Sequence, residues 1–175
     1  YFDFRSLYGD ATLAAALRAW VLPRTQANPQ FLRFMAENAL QAEPPLGLLR
    51  NFVTEDAPKA PHSINLKLHG VRPFVDAARI YALAHALPQT NTGERLRAAR
   101  AASGMEVAET EAMVEAFFVI QRLRLRNQAA LQDLTDEAAN RVDPYKLNRF
   151  ERYILKGAFR QARALQSRLA LDYQL

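Results

Sequence analysis

The chain contains no cysteine. That absence removes a disulfide scaffold, a thiolate zinc site and a cysteine nucleophile together, and it fits a reducing, cytoplasmic setting. Glycine is sparse and scattered. Neither G-x-G-x-x-G nor G-x-x-x-x-G-K-[ST] occurs, so there is no Gly-rich loop to cradle a phosphate. Only three histidines are present, His62, His69 and His85, and none stands four residues from another ligand on a helix, as a helix-borne metal site would need. Ser63 beside His62 is a neighbour in a proline-rich stretch and makes no nucleophilic triad. No apolar run approaches the roughly 18 residues of a membrane span, and no signal-peptide pattern opens the chain. No membrane partner is expected.

What is present is positive charge: 23 Lys and Arg against 18 Asp and Glu, a net charge of +5. This permits an acidic or phosphorylated partner. The arginines alternate with apolar residues at helical spacing and form no block that would track a nucleic-acid backbone. The aromatics share the apolar faces of the helices, where they serve a core better than they stack bases. Nucleic acid is therefore not the expected partner. With 175 residues the chain is long enough for one domain, or one domain and a piece of another.

Residues 1–5, Tyr-Phe-Asp-Phe-Arg, alternate in the manner of a strand. A single strand is unstable in water, so this one is expected to be the end of a sheet in a preceding domain, with 10–175 forming the domain proper. Asp10 caps a helix over 11–22 that Pro23 would stop, and Asn28-Pro29 opens a second helix to about 42. A short helix is expected over 46–53, a loop over 54–63 and an extended piece over 64–68. Further helices are expected over 71–86, 93–102 and 106–131. The last begins at Asp143-Pro144 and carries Leu147, Phe150, Ile154, Ala158, Ala162, Leu165 and Leu169 at steps of three and four. In the 106–131 helix the expected inward stripe is Val114, Phe117, Phe118, Gln121, Leu125 and Gln128. Long helices with short connections make an all-α, antiparallel bundle of about six helices, with the short N-terminal strand attached.

The most informative stretch is 64–83. Lys67 precedes a glycine, and Arg72, Asp76 and Arg79 then recur at steps of four and three, which puts them on one helix face. Arginine suits planar, bidentate recognition of carboxylate or phosphate. Other polar residues within amphipathic helices are Asn38, Arg95, Arg122, Arg124, Arg126 and Gln128. They could line a groove for a phosphate-bearing ligand, or pair with Asp76, Glu94 and Asp133 and fix helix register. The chain holds no complete catalytic constellation.

Several stretches, in order, resemble the helical substrate-binding domain of a family of bacterial and archaeal signalling proteins classed as nucleotidyltransferases, in which the transferase domain follows cyclic-nucleotide-binding and CBS domains. The stretches are Phe2-Asp3-Phe4-Arg5, Tyr8-Gly9-Asp10, Glu37-Asn38-Ala39-Leu40 and Pro44-Pro45-Leu46-Gly47. They continue with Leu66-Lys67, Gly70-Val71-Arg72-Pro73, Asp76 and Arg79, then with Asn91-Thr92 and Glu94-Arg95-Leu96. The last are Leu123-Arg124-Leu125-Arg126, Gln128, Asp143-Pro144, Arg152 and Leu155-Lys156. Lys67, Gly70, Arg72 and Asp76 are more distantly similar to the Lys…Gly-Gly-x-x-Asp region of the uridylyltransferases and adenylyltransferases of bacterial nitrogen regulation. Here the spacing is longer and the paired glycines are absent.

The resemblance implies a division of labour. Transfer of a nucleoside monophosphate from a nucleoside triphosphate to a protein or small-molecule acceptor would need Mg²⁺ held by an Asp-x-Asp pair on an upstream nucleotidyltransferase domain. No such pair occurs here, so this chain would be inactive alone. Asp3 becomes a candidate catalytic carboxylate, or else an exposed strand residue paired with Arg5. Lys67, Arg72, Asp76, Arg79, Arg95, Arg124 and Arg126 become candidate substrate-binding residues. The competing class is a non-catalytic regulatory or docking module.

Overall fold

The computed structural model describes residues 2, 4, 6–47, 51–57, 60–130 and 136–175, and it is mostly helical, as the spacing of apolar residues leads one to expect. Asp3, Asp133 and residues 48–50 of the expected 46–53 helix lie outside the described residues.

Helix α1 (Ala11–Gln26) starts at Asp10, whose carboxylate accepts the Thr12 N–H at 2.8 Å. Pro23 does not stop it. The proline sits in the last turn on an exposed face, where one missing donor is tolerated, and the Ala27 N–H closes onto the Pro23 carbonyl at 3.0 Å. The strand expected over 1–5 is absent at its described residues. Phe2 and Phe4 lie in no ladder. The Phe2 ring packs on Phe31, and the carbonyl of Phe4 accepts from Arg18 Nη2 at 2.5 Å.

Helix α2 (Pro29–Leu40) is capped by Asn28, carries proline in its first turn, and buries Leu32, Ala36 and Ala39. Where a helix was expected over 46–53, none of the described residues is helical. Leu46 and Phe52 form an antiparallel bridge, Gly47 N–H donates to the Asn51 carbonyl at 2.8 Å, and Val53 N–H to Pro45 at 3.0 Å. The expected loop, with the first two residues of the expected extended piece, forms two strands of a small antiparallel sheet, β1 (Glu55–Ala57) and β2 (Ala60–Asn65), while 66–68 of that piece are helical instead. The third, β3 (Arg141–Val142), comes from far along the chain and pairs Ile64 with Val142 and Asn65 with Arg141.

Asn65 ends β2 and caps the next turn, its side chain accepting the Leu68 N–H at 3.0 Å. Residues Leu66–Val71 form a π-helix that runs directly into α3 (Arg72–Ala84). Pro73 has no N–H, and its ring crowds the carbonyl four residues back; the wider π turn relieves that conflict. Gly70 makes the turn packable: a Cβ there would lie 2.8 Å from Ile120 Cγ2 and 3.3 Å from Phe159 Cε1. The π-helix thus nestles against the core, and the first residue after it is Arg72.

Helix α4 (Thr92–Ser103) is capped by Asn91 and closed by Gly104 in the left-handed region (φ 65°). Helix α5 (Val107–Ala130), the single turn α6 (Asp136–Ala139) and α7 (Arg149–Asp172) complete the chain. The start of α7 is later than the sequence suggests. Asp143 accepts from the Tyr145 N–H in a turn, while Asn148 and Glu151 form a reciprocal capping box.

Phe74 and Ile80 of α3, Ile120 of α5, and Leu155, Phe159 and Leu165 of α7 are fully buried together. The inward face of α5 is Met113, Val114, Phe117 and Ile120. Phe118 and Leu125, expected inside, are 50% and 61% exposed. Apolar residues occur on more than one side of α5, so periodicity alone cannot choose the side that meets α7. Phe150, at the start of α7, and Phe34 on α2 are also exposed. Tyr81 ties α3 to the end of α7, donating its hydroxyl to the Asp172 carboxylate at 2.6 Å. Burial, then this hydrogen bond and the Asp172 charge, raise the Tyr81 phenol well above its ordinary range. Among the described residues no helix is long and apolar enough to cross a membrane.

Candidate functional site

Three of the sequence-derived residues converge. Arg72 and Arg79 stand one turn to either side of Asp76 on α3, and both reach its carboxylate: Arg72 Nε donates to Oδ2 at 3.0 Å, and Arg79 Nη1 to Oδ1 at 2.9 Å. Arg72 Nη2 also donates to Asn38 Oδ1 of α2 at 2.8 Å. These four residues, with Met35, Ala39 and Ile80, line an open cleft of about 200 Å³ between α2 and α3. The Arg72 side chain is 39% exposed and that of Asp76 is 19% exposed. The apolar side of α3 is buried, so the helix cannot turn to hide the ladder.

Chemically, the cleft presents guanidinium edges whose orientation is fixed by a shared carboxylate and a side-chain amide. Pre-set guanidinium groups lose little freedom on engaging an anion, and their planar fork matches phosphate or carboxylate. Asp76 holds both arginines in place, and its own negative charge would repel an anion brought close to it.

The other candidates lie elsewhere. Lys67 is exposed on the π-helix. Its carbonyl accepts the Arg72 N–H, and its ammonium has no partner among the described residues. Arg95 is 3% exposed and donates to the backbone, Nε to the Gln89 carbonyl at 2.8 Å and Nη2 to Phe2 at 3.4 Å, so it ties the N-terminal segment to the loop before α4. Arg124 joins a network of amides: Nε to Asn140 Oδ1 at 2.5 Å and Nη1 to Gln121 Oε1 at 3.2 Å. Gln128 donates to the same Asn140 oxygen at 3.1 Å, and Asn127 donates to the carbonyls of Ala139 and Arg141. The network fastens α5 to β3, with Asn140 only 4% exposed. Arg126 pairs with Glu151 on the surface. That contact, then the Asn148 backbone N–H, hold the Glu151 carboxyl below the usual range. Asp3 lies outside the described residues.

Sequence reasoning missed Asn140, since an asparagine between helices carries no periodic signal. It also gave His69 no role. His69 Nδ1 lies 3.1 Å from the Glu43 carbonyl and Nε2 3.2 Å from Glu55 Oε1, and Arg141 reaches the other oxygen of Glu55 at 3.1 Å. This set joins the π-helix to the sheet. Only strand pairing brings Glu55 and Arg141 together.

Residues 29–173 match the model of a family described as "Putative nucleotidyltransferase substrate binding domain". No curated protein and no solved structure matches the chain.

Proposed function

The chain belongs to that nucleotidyltransferase substrate-binding family, and from this premise we propose that the Arg72–Asp76–Arg79 cleft is where it holds substrate. The observation that carries the reading is a single carboxylate gripped by two guanidinium groups at the edge of an open cleft. The cleft takes the phosphate-bearing part of a nucleoside triphosphate, and Lys67 adds a mobile positive charge from the neighbouring π-helix. Arg95, Arg124 and Arg126 serve the architecture, tying down the segment before α4 and fastening α5 to β3 and α7. A separate nucleotidyltransferase domain supplies Mg²⁺ and the reacting centre, and transfers the nucleoside monophosphate to a protein or small-molecule acceptor. This chain does not carry out the transfer alone, and residues 1–9 belong to the junction with that domain.

The test is turnover per folded molecule in the protein that carries both domains. Arg72→Ala and Arg79→Ala are expected to lower it about tenfold or more, as loss of a charged contact to substrate would, with the thermal midpoint close to wild type. Unchanged turnover alongside a large loss of stability would instead make the ladder an element of helix register.

A further inference from the structure

The outward face of α5 is neither core nor cleft. Glu111, Glu115, Phe118, Arg122, Leu125 and Ala129 follow one another at steps of four and three, which puts them on one face of the helix, a single seam. All six line one shallow trough of about 1000 Å³ along α5. Phe118 and Leu125 are 50% and 61% exposed at its middle. Isolated apolar residues on a surface need no explanation, but two on a heptad seam between ordered charges do.

The charges have an order. Acidic residues occupy the first half of the trough and basic ones the second: Glu111 and Glu115, then Arg122 and, beside the seam, Arg126. A second copy of α5 laid antiparallel, with the two-fold axis between Phe118 and Val119, sets Glu115 opposite Arg122 of the other copy and Glu111 opposite Arg126. The same register sets Phe118 against Val119, Leu125 against Ala112, and Ala129 against Ala108, so each large residue meets a small or complementary one. A two-fold interface must be complementary to itself, and this seam is so in both charge and size. Glu115 and Arg122 are exposed and have no partner among the described residues. Glu111 is already held by Arg97, with bonds of 2.8 and 2.7 Å, and Arg126 by Glu151. Pairing across the axis would extend these into an alternating chain of Arg97, Glu111, Arg126 and Glu151.

We propose that this face of α5 is a homodimer interface, occupied by the same face of a second copy in antiparallel register. Sedimentation velocity on the wild-type chain, from about 1 to about 100 µM, the range of a modest interface, is expected to show a monomer giving way to a dimer. Glu115→Arg and Arg122→Glu each set like charges opposite one another twice, and each is expected to weaken association about tenfold or more. The two changes in one chain restore opposite charges and should restore the dimer. So should an equal mixture of the two single variants, as a heterodimer. Far-UV circular dichroism checks that every variant is folded, and Phe118→Ser gives an uncharged disruption of the same face.

A wild-type chain that stays monomeric throughout overturns the proposal and leaves the face to another domain or protein. Association indifferent to both reversals, or single variants that fail to complement each other, would overturn the antiparallel register.

Discussion

Arg72 and Arg124 are both arginines on amphipathic helices, and the sequence offers both as substrate contacts, yet the structure uses them in opposite ways. Arg72 is held by a carboxylate and an amide at the edge of an open cleft. Arg124 is held by amides, one of them the buried side chain of Asn140, which also anchors Gln128. The π-helix touches both α3 and α5, so one short element separates a surface open to ligand from a network closed on itself. The difference lies in the partner. A guanidinium that closes a network around a buried amide leaves part of that network without hydrogen bonds when removed. One that shares a partly exposed carboxylate leaves its partners open to water.

The contrast should therefore break first at its closed end. Asn140→Ala takes the acceptor from Arg124 Nε and from the Gln128 amide and is expected to cost about 2–3 kcal/mol, read from urea denaturation. A loss as small as that of a surface residue would erase the distinction. Next comes the element between the two regions. Gly70→Ala drives a methyl group into Ile120 and Phe159 and should cost about 1–3 kcal/mol, with a weaker nucleotide response as α3 shifts.

Tyr81→Phe sharpens the comparison from the core side of α3. Losing the bond to Asp172 is expected to cost about 1 kcal/mol at neutral pH. The phenol's folded pKa is raised, chiefly by burial and then by Asp172. The unfolded chain therefore ionises first, and wild-type stability, fully present below about pH 10, declines as pH rises through and above that value. Phenylalanine cannot ionise, so the variant should show a shallower alkaline decline in thermal midpoint. An equally steep decline would assign it to other groups. At the open end the stability effect is smallest: Arg72→Ala leaves Asp76 still paired with Arg79 and should change unfolding free energy by about 1 kcal/mol or less, measured in the same urea series.

Much of this is legible in the sequence. The Arg72, Asp76 and Arg79 spacing places three side chains on one face without any knowledge of the fold. Asn28-Pro29 and Asn91 mark helix starts because capping is local. The failures share a cause. The β1–β2 hairpin is completed by β3, so its pairing cannot be read from 54–68 alone. Asn38 is visible as a polar residue within a helix, but its meeting with Arg72 depends on how α2 and α3 pack. Periodicity points Phe118 and Leu125 inward because it indicates a face, and the neighbouring helices decide which face is covered. Pro23 misleads because a proline's cost depends on where in the helix it falls and whether its ring can turn to solvent.

The Arg72–Asp76–Arg79 cleft is, in this proposal, the place where nucleotide is held. Titrating the chain with each of the four common nucleoside triphosphates, with amide resonances followed by NMR, tests this most directly. The expected result is that at least one of them shifts the signals of 35–39 and 72–80 in a saturable way, while those around Arg124 and Asn140 stay in place. Saturable shifts centred on Arg124 and Asn140, or no saturable shift with any of the four, would contradict it.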